Sequence, residues 1–182
     1  FTVPLEKASQ NKKINEINTF SVDQFKKSFF KTLHSSYSKA PFYEETINYI
    51  ENVFSISNLT IASISINSIK LFCEYISINK DFYNSSLYAP ESFDLQGYKR
   101  IIYIMHKLES KKYINLPGGA SLYKRKSFES ENLSLEFIQP SFKEYVQSHG
   151  NNYFISNLSM IDLMMNLSKP EILDHISSYK LI

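Results

Sequence analysis

The apolar residues change rhythm at Asp81, and that change limits the architectures open to the chain. Upstream they recur every three or four positions, the spacing of one helix face. Val22, Phe25, Phe29, Leu33 and Tyr37 make the first such stripe, within a helix running from Val22 to Lys39. Ser21 and Gln24 read as a capping box at its start. Ala40-Pro41 ends it, because the residue before a proline avoids the helical region. Pro41 then suits the first turn of a second helix, with Tyr43, Ile47, Ile50 and Phe54 facing inward. From Asn58 to Ser77, residues Leu59, Ala62, Ile66, Ile69, Cys73 and Ile76 keep helical spacing. Ile61 to Ile66 also alternates like a strand, but the total length favours helix.

Downstream of Asp81, strands and helices interleave. Phe82 to Tyr88 reads as a short strand, and Leu95, Tyr98, Ile102, Met105 and Leu108 form a helical stripe. Lys112 to Leu116 reads as a strand that ends at Pro117-Gly118-Gly119. A short helix then carries Tyr123 and Phe128. Leu133, Leu135 and Phe137 alternate with Ser134 and Glu136, the pattern of a strand with one buried face. Two helices close the chain, at 159–167 and 170–179. A strand, helix, strand order implies parallel pairing through crossovers. The expected fold is therefore one α/β domain over residues 1–182, with a mainly parallel sheet and flanking helices.

Composition narrows the function classes. Hydrophobic residues make up 43% of the chain, too many for a disordered one. The formal net charge of +2 does not favour a nucleic-acid surface. No apolar run approaches the roughly 18–20 residues a bilayer span needs. Cys73 is the single cysteine, which rules out an internal disulfide and fits a reducing compartment. The four histidines, His34, His106, His149 and His175, share no metal-ligand spacing, so no metal site is expected. The start lacks the order of a signal peptide. Phe1-Thr2-Val3-Pro4-Leu5 reads as strand material, so the natural domain is expected to extend upstream.

Three constellations could carry chemistry. Asn115-Leu116-Pro117-Gly118-Gly119 follows a strand, where backbone amides can turn toward an anion or a carbonyl oxygen. Lys124, Arg125 and Lys126 come soon after. The competing and favoured reading is a tight strand-to-helix turn. Ser159 and Asp162, three apart, read first as a helix cap. If Asp162 is buried beyond capping reach it needs a partner, and a functional role gains weight. Tyr145 and Gln147 point the same way from an extended segment, near His149. They offer a phenol and an amide suited to sugar hydroxyls, or they simply pack a loop. His34, on the edge of the first apolar stripe, is by default a core-edge histidine. Cys73 reads as a small core residue.

The C-terminal third resembles the WbqC-like family. The resemblance rests on Tyr113-Ile114-Asn115, Gly118-Gly119, Leu122-Tyr123, Phe128, Leu133-x-Leu135-x-Phe137-Ile138, Tyr145-x-Gln147 and Leu158-Ser159-Met160-Ile161-Asp162-Leu163-Met164-x-Asn166, closing at Tyr179-x-Leu181-Ile182. Near the start, Thr2-Val3-Pro4-Leu5 is similar to the family's strand before its first long helix, and His34-x-x-Tyr37-x-x-Ala40-Pro41-Phe42-Tyr43 to its H-x-x-Y-x-x-A-P-[YF]-[YF] signature. The family's opening segments, Q-P-x-Y-x-P-W-x-G-Y and D-D-V-Q-Y, do not occur in this sequence.

The resemblance implies a cytoplasmic protein of bacterial surface-glycan (O-antigen type) biosynthesis. One role is acyl or aminoacyl transfer to the amino group of a nucleotide-linked amino sugar, with a sugar nucleotide and an acyl donor as small-molecule substrates. The alternative is a non-catalytic sugar-nucleotide-binding protein or a partner of a glycan-assembly enzyme. The transfer role takes His34 as the candidate base and Tyr37, Asn115, Gly118, Gly119, Tyr123, Tyr145, Gln147 and Asp162 as candidate substrate contacts. The resemblance leaves the cofactor unknown.

Overall fold

The computed structural model describes residues 1–141, 143–148 and 153–182. Its elements are, in chain order, α1 (Val22–Tyr37), α2 (Tyr43–Val53), α3 (Ile61–Tyr75), α4 (Ser85–Tyr88), α5 (Tyr98–Lys107), β1 (Lys112–Asn115), α6 (Arg125–Glu129), β2 (Ser134–Pro140), α7 (Met160–Asn166), α8 (Lys169–Ile176) and β3 (Tyr179–Leu181). The chain forms two compact units. One comprises Phe1–Lys80 with Lys143–His175, the other Asp81–Phe142 with Ile176–Ile182.

The first unit is helical. The stripe on α1 buries Val22, Phe29 and Leu33 as its spacing requires. They join Ile50, Val53, Phe54, Ile64 and Met165 in one core, with Phe25 stacked on Phe29 at 5.3 Å. The capping box at Ser21 does not form. Ser21 takes a left-handed conformation (φ 47°) and its side chain caps nothing. The backbone just before it explains why. Asn18 and Thr19 make isolated bridges to Thr60 and Leu5, and the Phe20 N–H donates to the Pro4 carbonyl at 2.9 Å. The chain must turn sharply at Ser21 to leave that ladder and enter the helix.

α1 ends before Pro41, as expected, and the Ala40 N–H bonds back to the Tyr37 carbonyl at 2.8 Å. The second helix starts at Tyr43, not at Pro41. α3 is a helix capped by Thr60, whose hydroxyl accepts from the Ser63 N–H at 3.1 Å. Its expected face holds only in part: Ile76 is buried and Leu59 and Ala62 are half-buried, but Ile66 and Ile69 are exposed and Ile64, outside that face, is buried. This helix carries apolar residues on most sides, so spacing alone does not choose the face that packs. Cys73 is only half-buried.

The second unit holds a three-stranded sheet in the order β1-β2-β3. β1 pairs with β2 in parallel, with Tyr113 opposite Leu135. β2 pairs with β3 antiparallel, with Ile138 opposite Leu181. The fold is thus α/β, but its sheet is small and mixed, where a mainly parallel one was expected. The difference is β3. The last helix stops at Ile176, not Tyr179, and the chain end lies as an antiparallel edge along β2, tied by reciprocal Phe137–Ile182 backbone bonds of 2.9 and 3.0 Å.

The alternation on β2 holds, with Leu133, Leu135 and Phe137 buried. They pack with Phe128, Ile102 and Met105, and Phe128 stacks on Tyr113 at 5.8 Å. The strand expected at Phe82 to Tyr88 is absent. Asn84 caps the short α4 instead, its side-chain oxygen accepting from the Ser86 N–H at 3.0 Å, so a local polar bond overrides the apolar pattern.

Candidate functional site

The site grows from Asp162, which is fully buried in the first turn of α7. Four donors converge on its carboxylate, two on each oxygen. Oδ1 accepts from the Tyr37 hydroxyl at 2.9 Å and from the Asn166 amide at 3.3 Å. Oδ2 accepts from the Tyr145 hydroxyl at 2.5 Å and the Gln147 amide at 2.9 Å. A buried carboxylate needs such partners, since stripping it of water is otherwise costly.

The partners are themselves fixed. The Gln147 oxygen accepts from the Ile155 N–H at 2.8 Å and its nitrogen also donates to the Ile155 carbonyl at 3.0 Å, which sets the amide's orientation. The Asn166 oxygen accepts from the Ser148 N–H at 2.8 Å, and its nitrogen donates to the Asp162 carbonyl at 2.7 Å. Tyr37 sits at the end of α1. Tyr145 and Gln147 lie two apart on an extended stretch and reach the same oxygen, as their spacing implied.

Both phenols hold their protons strongly. Burial raises Tyr37 well above the ordinary phenol range, and its hydrogen bond to Asp162 and that group's charge add to it. Tyr145 is raised first by burial and then by its hydrogen bond to Asp162, with the Asp162 charge adding less and a hydrogen bond from Gln147 opposing. Each hydroxyl gives its hydrogen to Asp162, so toward anything else its oxygen can only accept.

The cap reading of Ser159 and Asp162 is therefore corrected. Ser159 occupies the cap position but makes no side-chain cap bond, and only its backbone carbonyl meets the Asp162 N–H, at 2.9 Å. The Asp162 side chain turns inward because four donors wait there.

Sequence comparison decides the family: the WbqC-like protein family matches residues 1–173. The chain belongs to the WbqC-like protein family. No curated protein and no solved structure matches it. Three of the stretches that carried the resemblance in the first unit of this WbqC-like protein, at 34–43, 145–147 and 158–166, meet at Asp162. Tyr37 bonds Asp162, and the Phe42 N–H donates to the Met165 carbonyl at 3.1 Å.

The remaining candidates are placed differently. His34 is exposed on α1, and its Nδ1 lies 3.1 Å from the Tyr43 hydroxyl. Asn115, Gly118, Gly119 and Tyr123 of the WbqC-like chain belong to the second unit. There the Pro117–Gly119 turn is closed on itself. The Gly119 and Ala120 amides donate to the Leu116 and Pro117 carbonyls at 2.9 and 3.0 Å, and the Leu116 amide to the Asn115 side chain at 2.8 Å. These three amides are committed within the turn, which agrees with the tight strand-to-helix turn favoured from the sequence. Gly119 is needed for space: a Cβ there would come within 2.3 Å of the Asn115 amide nitrogen, whereas Gly118 faces open space. Tyr123 packs edge-on against Tyr113 and Phe128 at 6.3 Å. His149 lies outside the described residues.

Asn166 closes one of the runs that carried the resemblance but was not given a site role, yet it stands one helical turn beyond Asp162, where side chains meet. His175 was also missed. Its ring sits edge-on to Tyr145 at 5.5 Å, and its Nδ1 bonds the Glu171 carbonyl at 2.9 Å. No sequence signal pointed to it. No described helix is long and apolar enough to cross a membrane.

Proposed function

We propose that this protein acts in bacterial surface-glycan biosynthesis and transfers an acyl or aminoacyl group to the amino group of a nucleotide-linked amino sugar. The observation that carries the reading is the Asp162 node. A buried carboxylate held by four donors is not the cheapest way to fill a core, since an apolar replacement is often as stable. Such networks gather at functional sites, where they hold groups in fixed roles. Here the node fixes the phenol oxygens of two half-buried tyrosines as acceptors, suited to the N–H and O–H donors of an amino sugar.

In the reaction, the amine nitrogen attacks the donor's carbonyl carbon and forms the C–N bond. The donor's bond from carbonyl carbon to its thioester sulfur or ester oxygen breaks, and the leaving thiolate or alkoxide takes up a proton. The amine proton passes to a base, and His34, exposed and three residues before Tyr37, is the residue for that role. Asp162 touches no substrate in this scheme and is a positioning residue.

The non-catalytic alternative has an observation in its favour, because the same carboxylate is closed off from solvent. Turnover separates the two. The protein is incubated with a panel of nucleotide-linked amino sugars and acyl-thioester or aminoacyl donors, and products are weighed by mass spectrometry. An N-acylated sugar nucleotide whose formation is lost in His34→Ala supports the transferase. Binding of the sugar nucleotide without product, for every donor, supports the binding protein. Neither binding nor product would overturn both.

A further inference from the structure

The second unit carries a groove unrelated to the Asp162 node. Leu95, Tyr98, Ile102, Tyr103 and His106 line one wall, and Ser127, Ser130 and Glu131 line the other, around a cavity of about 420 Å³. The first wall follows from helical spacing. Positions 98, 102 and 106 recur at steps of four on α5, with Tyr103 beside them, so one face of the helix is presented as a strip. The second comes from α6 and the turn after it. Across the groove, His106 Nε2 stands 3.6 Å from a Glu131 carboxylate oxygen, and both side chains are about half exposed.

The lining chooses a ligand class. Its apolar lining is Leu95 and Ile102, its aromatic lining Tyr98 and Tyr103, and its polar lining includes two serine hydroxyls, an imidazole and a carboxylate. Lys99 also borders the groove, so one cation and one carboxylate balance and neither an anion nor a metal cation is favoured. A carboxylate and hydroxyls accept, and an imidazole, hydroxyls and an ammonium donate. A neutral sugar ring presents the matching surfaces, with C–H faces for the phenol rings and hydroxyls for the polar edge. The volume lies within the range of small-ligand sites, roughly 300–1,000 Å³. We propose that the groove between α5 and α6 binds a neutral monosaccharide unit, with Tyr98 as its aromatic platform and Glu131 with His106 gripping ring hydroxyls.

The proposal does not rest on the transferase reading, and its test has a separate readout. The full chain is titrated by two-dimensional NMR with glucose, galactose and N-acetylglucosamine, and separately with uridine monophosphate and inorganic phosphate. Shifts confined to α5 and residues 127–131 are expected with at least one neutral sugar. Tyr98→Ala and the exposed-site change Glu131→Gln are each expected to weaken that binding at least about tenfold, the loss typical of truncating a central contact. The spectra report whether each variant is folded, and Glu131→Gln decides the matter if Tyr98→Ala is not. Absence of shifts with every sugar, sugar binding unchanged in the folded variants, or tighter binding of phosphate or uridine monophosphate at the groove would each overturn the proposal.

Discussion

Exchanging Asp162 for asparagine tests the node without changing its shape. The new amide nitrogen must replace one carboxylate oxygen. In the Oδ2 position it would face the Gln147 nitrogen, 2.9 Å away and fixed by both of its bonds to Ile155. In the Oδ1 position it meets the Tyr37 hydroxyl, which can rotate and accept, and the more distant Asn166 nitrogen at 3.3 Å. Asparagine therefore takes the second orientation. The Tyr145 and Gln147 bonds survive but lose the negative acceptor, and the Asn166 contact becomes donor against donor. Hydrogen bonds to charged groups contribute roughly 1.5–3 kcal/mol and neutral ones about 0.5–1.5, so the change costs about 2–4 kcal/mol. Ser159→Ala, by contrast, removes no cap bond and should stay within about 0.5 kcal/mol. Urea unfolding followed by circular dichroism measures both from the midpoints at constant slope. Equal costs for the two variants, or a Ser159→Ala loss of about 1 kcal/mol or more, the usual size of a lost cap, would refute the reasoning.

Other outcomes follow from single contacts. Gly119→Ala should cost more than Gly118→Ala, because only the first displaces Asn115 and its bond to the Leu116 amide, worth about 0.5–1.5 kcal/mol; thermal unfolding compares them. Thr60→Ala should lose about 0.5–2 kcal/mol through the α3 cap, measured in the same way. Tyrosine ionisation, read at 295 nm, should lag in the native protein. Burial first, with smaller contributions from Cys73 and Glu45 respectively, pushes Tyr49 and Tyr75 up to about 12. An unfolded phenol titrates near pH 10, so the stability these two contribute is full below about pH 10 and lost as pH rises toward 12. Superimposable native and urea-unfolded titrations would contradict this.

The sequence revealed helices where one face was clearly apolar and failed where it was not. α1 and β2 were legible because their spacing allows only one buried side. On α3, with isoleucines all round, the helix was legible and its packed face only in part. β3 was missed because a three-residue edge strand has no periodicity, and its pairing comes from the chain returning to β2. At the site, Tyr145 and Gln147 were legible from their two-residue spacing. Asp162 was weighed as a cap because Ser159 lies at capping distance, and only burial among donors more than a hundred residues apart in sequence could decide otherwise.

The most direct test of the account is calorimetric titration of nucleotide-linked amino sugars into the intact protein and into folded Tyr145→Phe and Asp162→Asn variants. The account expects at least one such sugar nucleotide to bind the natural chain and both variants to bind it at least about tenfold more weakly, a loss of roughly 1.4 kcal/mol or more. Native affinity in both folded variants would show that the node only holds the fold together and would contradict the account.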